Sequence, residues 1–162
     1  MDLILWRHAD AFIAENHEDD LSRALTPKGE RQAARIAQWL DRQLSDSTRI
    51  LSSPATRTEQ TARALQRKFK LREELGPQSS AEAVLELVNW QVPWTHAPKH
   101  PILLVGHQPW MGDVIKNLTN LPSSACAVRK GAVWWLKARE RNQQLQILIY
   151  SVISPEIVGG LE

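Results

Sequence analysis

A chain of 162 residues, 43% hydrophobic and 23% charged, has the length and apolar content for one hydrophobic core and is not disordered by composition. Its 20 Lys and Arg against 18 Asp and Glu leave a formal charge of +2, which gives no electrostatic case for nucleic acid or a membrane surface as partner. The single cysteine, Cys126, excludes an internal disulfide and any cysteine-based zinc cage, and reads as a small apolar filler.

The N-terminal apolar run, Leu3-Ile4-Leu5-Trp6, is too short for a secretory h-region or a membrane span, so a soluble, cytoplasmic, single domain over 1–162 is expected. The same run has the character of a strand buried on both faces. From Ala9 to Arg23 the chain turns polar and acidic, as a loop does. Thr26-Pro27 reads as an N-cap followed by proline at the first helical position. Ala33, Ile36, Ala37, Leu40 and Leu44 then give one apolar stripe at helical spacing. Ile50-Leu51 before Ser52-Ser53-Pro54 predicts a second strand and its exit, and Thr58, Ala62, Leu65 and Phe69 predict a second helix. Ser79 and Glu82 match a capping box ahead of Val84, Leu85 and Val88. Ile102 to Gly106 is the clearest buried strand, followed by a helix marked by Met111, Val114, Ile115 and Leu118. Ala132 to Leu136 and Leu145 to Tyr150 read as an antiparallel hairpin. This order predicts an α/β three-layer sandwich: a mostly parallel central sheet, flanking helices and an antiparallel edge strand.

Polar residues of one chemical kind sit at the exits of these strands. Arg7 and His8 follow the first, Arg57 follows the second, and His107 follows the Ile102–Gly106 run. Ligands of open α/β sheets bind outside the carboxyl ends of the strands, so these four side chains are expected to converge. Two guanidinium forks and nearby helix N-termini suit a dianionic phosphoryl group. A neutral imidazole beside them can attack phosphorus and divide one hard displacement into two easier ones. The arginine charges disfavour imidazolium and keep a nitrogen lone pair available near neutral pH.

These residues carry a family resemblance. Leu5-Trp6-Arg7-His8-Ala9-Asp10 resembles the arginine-histidine-glycine signature of the histidine phosphatase (phosphoglycerate mutase-like) superfamily. The segment from Asp20 to Gly29 is similar to the one that follows the signature in small SixA-type phosphohistidine phosphatases. Ser52 to Thr61 resembles the second block, and Val105-Gly106-His107-Gln108-Pro109 the block with the second histidine. The blocks come in family order, and the likeness extends to Tyr150. It implies that His8 is the transiently phosphorylated nucleophile, that Arg7, Arg57 and His107 form the phosphate pocket, and that Arg23 and Asp20 stand at its rim. Position 9 is Ala where the pattern usually has Gly, which asks whether the backbone there needs a glycine-only conformation. The general-acid carboxylate of larger relatives has no obvious counterpart, the nearest offers being Glu73, Glu74 and Glu82.

Other features have plainer readings. His96 and His100 have a helical metal-pair spacing, but Pro98 and Pro101 argue for a loop. The acidic run His17-Glu18-Asp19-Asp20 reads as a solvated loop rather than a cation site. Asn117-Leu118-Thr119 has the form of a glycosylation sequon that, without a secretory signal, carries no meaning here. The seven Trp are expected in the core and cleft walls, with Trp110 walling the pocket or packing beneath it and one of Trp134 and Trp135 in the core. The implied activity is a metal-independent phosphohistidine phosphatase with no cofactor. It would act on a phosphorelay or phosphotransfer protein, with phosphate or another oxyanion in the pocket. The alternatives are a phosphate-ester phosphatase or mutase of the same superfamily, and a phosphate-binding module without turnover.

Overall fold

The computed structural model describes residues 1–15, 19–91 and 98–158. Along the chain it forms β1 (Asp2–Arg7), α1 (Pro27–Gln43), β2 (Arg49–Ser52), α2 (Thr56–Arg63), β3 (Lys70–Leu71) and α3 (Ala81–Leu87). There follow β4 (Ile102–Gly106), α4 (Trp110–Thr119), β5 (Val133–Arg141), β6 (Gln144–Ile153) and α5 (Pro155–Val158). The strands make one sheet in the order β3-β2-β4-β1-β5-β6. β1 to β4 pair in parallel, while β5 runs antiparallel to β1 and β6 antiparallel to β5. Only β5 therefore runs against the other strands, and β6, at the sheet edge, pairs antiparallel with it, as the expected antiparallel edge does. None of the described helices is long and apolar enough to cross a membrane.

Burial explains the unbroken apolar runs. In β1, Leu3 and Leu5 face a core shared with α3 and α4, whereas Ile4 and Trp6 face a second core built on α1 and α2. β4 divides in the same way, with Ile102 and Leu104 on one face and Leu103 and Val105 on the other. Period-two alternation survives, but both faces are dry, so every position is apolar. Trp134 and Trp135 show the same rule on β5: both are buried, one in each core.

Local chemistry sets the ends of the elements. Thr26 caps α1, its Oγ1 accepting from the Gly29 N–H at 3.0 Å and donating to Asp10 Oδ2 at 2.8 Å. α2 is shorter than its apolar spacing predicted. It ends at Arg63, and Gln66 takes a left-handed φ of 55°, so Leu65 and Phe69 lie beyond the helix although Leu65 is still buried. The cap of α3 is Ser80, not Ser79: Ser80 Oγ accepts from the Ala83 N–H at 3.2 Å. Glu82 consequently stands at the second helical position and cannot complete the expected capping box. The hairpin turns at Asn142 and Gln143, whose φ values of 52° and 61° suit a type I′ turn between twisted strands. β3, only two residues long, had no sequence signal.

Candidate active site

Four side chains meet at the carboxyl edge of the parallel strands. Arg7 ends β1 and His8 follows it. Arg57 lies in the first turn of α2, and His107 follows β4. The backbone locks these exits together, the His8 N–H donating to Gly106 O at 3.1 Å and the Ser53 N–H to Val105 O at 3.0 Å. All three of His8, Arg57 and His107 are buried, and the two imidazole centroids are 5.4 Å apart.

Each side chain has a defined hold. Arg7 Nη1 donates to Val128 O at 2.8 Å. Arg57 Nη1 donates to Asp20 O at 2.7 Å, and its Nη2 to Asp20 Oδ2 at 3.0 Å. Asp20 also accepts from Arg23 Nε at 2.9 Å, so both rim residues implied by the resemblance belong to one charged chain that reaches Arg57. Thr61 on α2 accepts the Ala9 N–H at 3.1 Å and donates to Arg57 O at 2.7 Å, tying the β1 exit to that helix.

The histidines differ in what they bond. His8 Nδ1 is 2.8 Å from Ala9 O; a carbonyl only accepts, so Nδ1 bears the proton and the lone pair is on Nε2. His107 Nε2 is 2.8 Å from Ser53 Oγ, which in turn accepts from the Ala55 N–H at 3.2 Å. Burial pushes both imidazoles down to about 3, and the charges of Arg57 and Arg7 push in the same direction. Both rings are therefore neutral around pH 7. Arg7 Nε, Arg57 Nε and His107 Nδ1 are buried and have no hydrogen-bond partner among the described residues. Buried polar atoms without partners are rare, and guanidinium N–H groups left free in this way suit an oxyanion.

The sequence profile of the histidine phosphatase superfamily (branch 1) matches residues 3–78. A Haemophilus influenzae protein named as a homologue of the phosphohistidine phosphatase SixA is 30% identical over 131 residues, spanning 73% of this chain and 77% of that one. The chain belongs to the histidine phosphatase superfamily. Superfamily structures share its fold. One from Agrobacterium tumefaciens, described as a phosphohistidine phosphatase SixA, superposes with a TM-score of 0.76 at 26% identity, covering 95% of this chain and 97% of that one. The protein histidine phosphatase SixA complexed with tungstate superposes with a TM-score of 0.75 at 23% identity, covering 98% and 99%.

Within this superfamily pattern, alanine at position 9 is compatible with the fold. Ala9 is fully buried and its φ is not positive, so no glycine-only conformation is imposed there. Glu73, Glu74 and Glu82 are exposed, and Glu74 is held by Arg72 through bonds of 2.6 and 3.2 Å. The carboxylate whose field acts on His107 is Asp20. Burial works to raise the Asp20 carboxyl, but the hydrogen bonds and charges of Arg57 and Arg23 outweigh it and leave it below its ordinary range. Trp110 is fully buried beneath Gly106, where a Cβ would overlap its indole, so it packs the core rather than walling a cleft.

His100 is exposed, while its proposed partner His96 lies outside the described residues, as do His17 and Glu18 of the acidic run. Asp19 in that run caps the 3₁₀ turn Asp20–Ser22, its side chain accepting from the Leu21 N–H at 3.1 Å. Among the described residues no group of three or more His, Cys, Asp or Glu could hold a metal ion. Ser53 and Thr61, not singled out from the sequence, were legible only as members of the second block.

Proposed function

We propose that this chain is a phosphohistidine phosphatase acting on a phosphorelay or phosphotransfer protein through a phosphohistidine intermediate on His8. One observation carries the reading. His8 is neutral, its Nδ1 proton is held by Ala9 O, and its Nε2 lone pair lies in the field of Arg7 and Arg57. Nε2 attacks phosphorus, the bond from phosphorus to the substrate nitrogen breaks, and the substrate imidazole leaves after taking a proton. Water then attacks the phosphorus on His8, and phosphate departs as Nε2 regains its lone pair. The arginines match the phosphoryl oxygens throughout. With the Ser53 hydroxyl donating to His107 Nε2, the ring proton lies on Nδ1, a donor suited to a phosphoryl oxygen.

The leaving group supports phosphohistidine over an ester. An alkoxide is strongly basic, and its departure normally needs a positioned acid worth about 10²–10⁴-fold. An imidazole can be protonated near neutral pH before the bond breaks. Asp20, held ionised by two arginines, is poorly suited to supply a proton, and Glu74 is engaged by Arg72. The names of the relatives favour the same substrate.

The test is turnover of a phosphohistidine protein beside p-nitrophenyl phosphate and 3-phosphoglycerate. Preference for the first is expected, with His8→Ala abolishing phosphoenzyme and His107→Ala slowing turnover while some intermediate is still trapped. Preference for the metabolite would instead assign an ester phosphatase or mutase, and binding without turnover a phosphate-binding module. Activity is expected to survive EDTA, since side chains supply both nucleophile and anion-binding charge. Loss restored by a divalent ion would contradict the mechanism.

A further inference from the structure

The rim of the site carries apolar groups that the phosphoryl chemistry does not use. Phe12, Ile13 and Leu21 are 54%, 84% and 43% exposed, and all lie in the connection between β1 and α1. Isolated exposed apolar residues need no explanation, but Phe12 and Ile13 border one hollow, and Leu21 belongs to the Asp20–Ser22 turn whose Asp20 holds Arg57. Here the backbone is well held. Ala11 bridges to Leu25, the Phe12 N–H donates to Ala24 O at 2.9 Å, and Arg23 Nη1 donates to Phe12 O at 2.7 Å. Arg23 continues to Asp20 and Asp20 to Arg57, so the patch is coupled by consecutive hydrogen bonds to the phosphate pocket. Phe12 and Ile13 also border an open hollow of about 580 Å³ with Ser22, Arg23 and Ala24.

A small phosphorylated metabolite would occupy the pocket and leave this patch in water. A phosphohistidine on a protein brings the surrounding surface of that protein against the rim. We infer that Phe12, Ile13 and Leu21 are the docking surface for the phosphohistidine-bearing substrate protein, taking an apolar patch that flanks its phosphorylated residue. The inference rests on the proposed function and adds how the substrate is recognised. Its basis is continuity: the patch adjoins the pocket in which the phosphoryl group would sit, and Arg23 belongs to both. Docking through this surface contributes affinity for the carrier protein and nothing to the attack on phosphorus, so its signature is a split between substrates.

The experiment compares steady-state kinetics of the wild type and the Phe12→Ser/Ile13→Ser and Leu21→Ser variants on a phosphohistidine protein and on p-nitrophenyl phosphate. Truncating apolar anchors at an interface centre commonly costs tenfold or more in affinity. The double variant is therefore expected to raise KM for the protein about tenfold, with kcat preserved and kcat/KM for p-nitrophenyl phosphate within about twofold of wild type. Leu148→Ser, on the far edge strand β6, is the control and is expected to leave both substrates unaffected. An unchanged KM for the protein would overturn the docking surface while leaving the proposed function intact. Equal losses on both substrates, or an equal effect of the control, would overturn it too. A wild type that turns over p-nitrophenyl phosphate but not the phosphohistidine protein would overturn the proposed function itself.

Discussion

His8 and His107 share an environment that has a consequence for stability as well as for chemistry. Both are pulled down to about 3, burial being the largest cause. In the unfolded chain they titrate at the ordinary value of roughly 6.5. Between about 3 and 6.5 the unfolded state binds more protons than the folded one, so stability rises with pH across that window and is complete above it. Thermal melts at pH 7 and pH 4 are expected to show a smaller acid-induced fall in Tm for His107→Gln than for the wild type. Ser53 offers a second test at this scale. Ser53→Ala leaves His107 Nε2 buried without its partner, which is expected to cost about 1–3 kcal/mol in urea unfolding. It should also slow turnover while phosphoenzyme still forms on His8.

The junction of β1 with α1 shows how an element end holds the site. Gly29 lies in the first turn of α1, and a Cβ there would overlap the carbonyl oxygen of Asp10. Gly29→Ala must push helix and loop apart, with an expected loss of about 1–3 kcal/mol by denaturant unfolding. Thr26→Ala, which removes the cap, is expected to cost about 1 kcal/mol and to release Asp10 Oδ2. Thr26-Pro27 was legible because capping is a local contract between neighbouring residues. The strands were legible because burial on both faces writes an unbroken apolar run. The end of α2 was not, since Leu65 continues the helical spacing while Gln66 has already left the helix. Arg7, His8, Arg57 and His107 could be read because strand exits mark them. The bonds from Arg57 to Asp20 and from Arg7 to the Val128 carbonyl could not, because they join residues distant in sequence and one partner is backbone.

At the scale of the molecule, the candidate site draws on the β1 exit, the β2–α2 connection with the first turn of α2, and the β4 exit, which are brought together only in the assembled sheet. Loss of activity in urea is expected to coincide with loss of the tryptophan signal; activity lost well before it would show a site that opens locally. The position of β1 adds a matter of timing. It precedes the other strands of the sheet along the chain, yet its sheet neighbours are β4 and β5, which begin at Ile102 and Val133. At ordinary translation rates the strand bearing Arg7 waits on the order of 5–20 s for its first neighbour to be made. Through that interval Leu3, Ile4, Leu5 and Trp6 have no sheet to enter, so the nascent chain presents its most buried segment to whatever binds apolar peptide on the ribosome, and His8 acquires its environment only after β4 and β5 have been made.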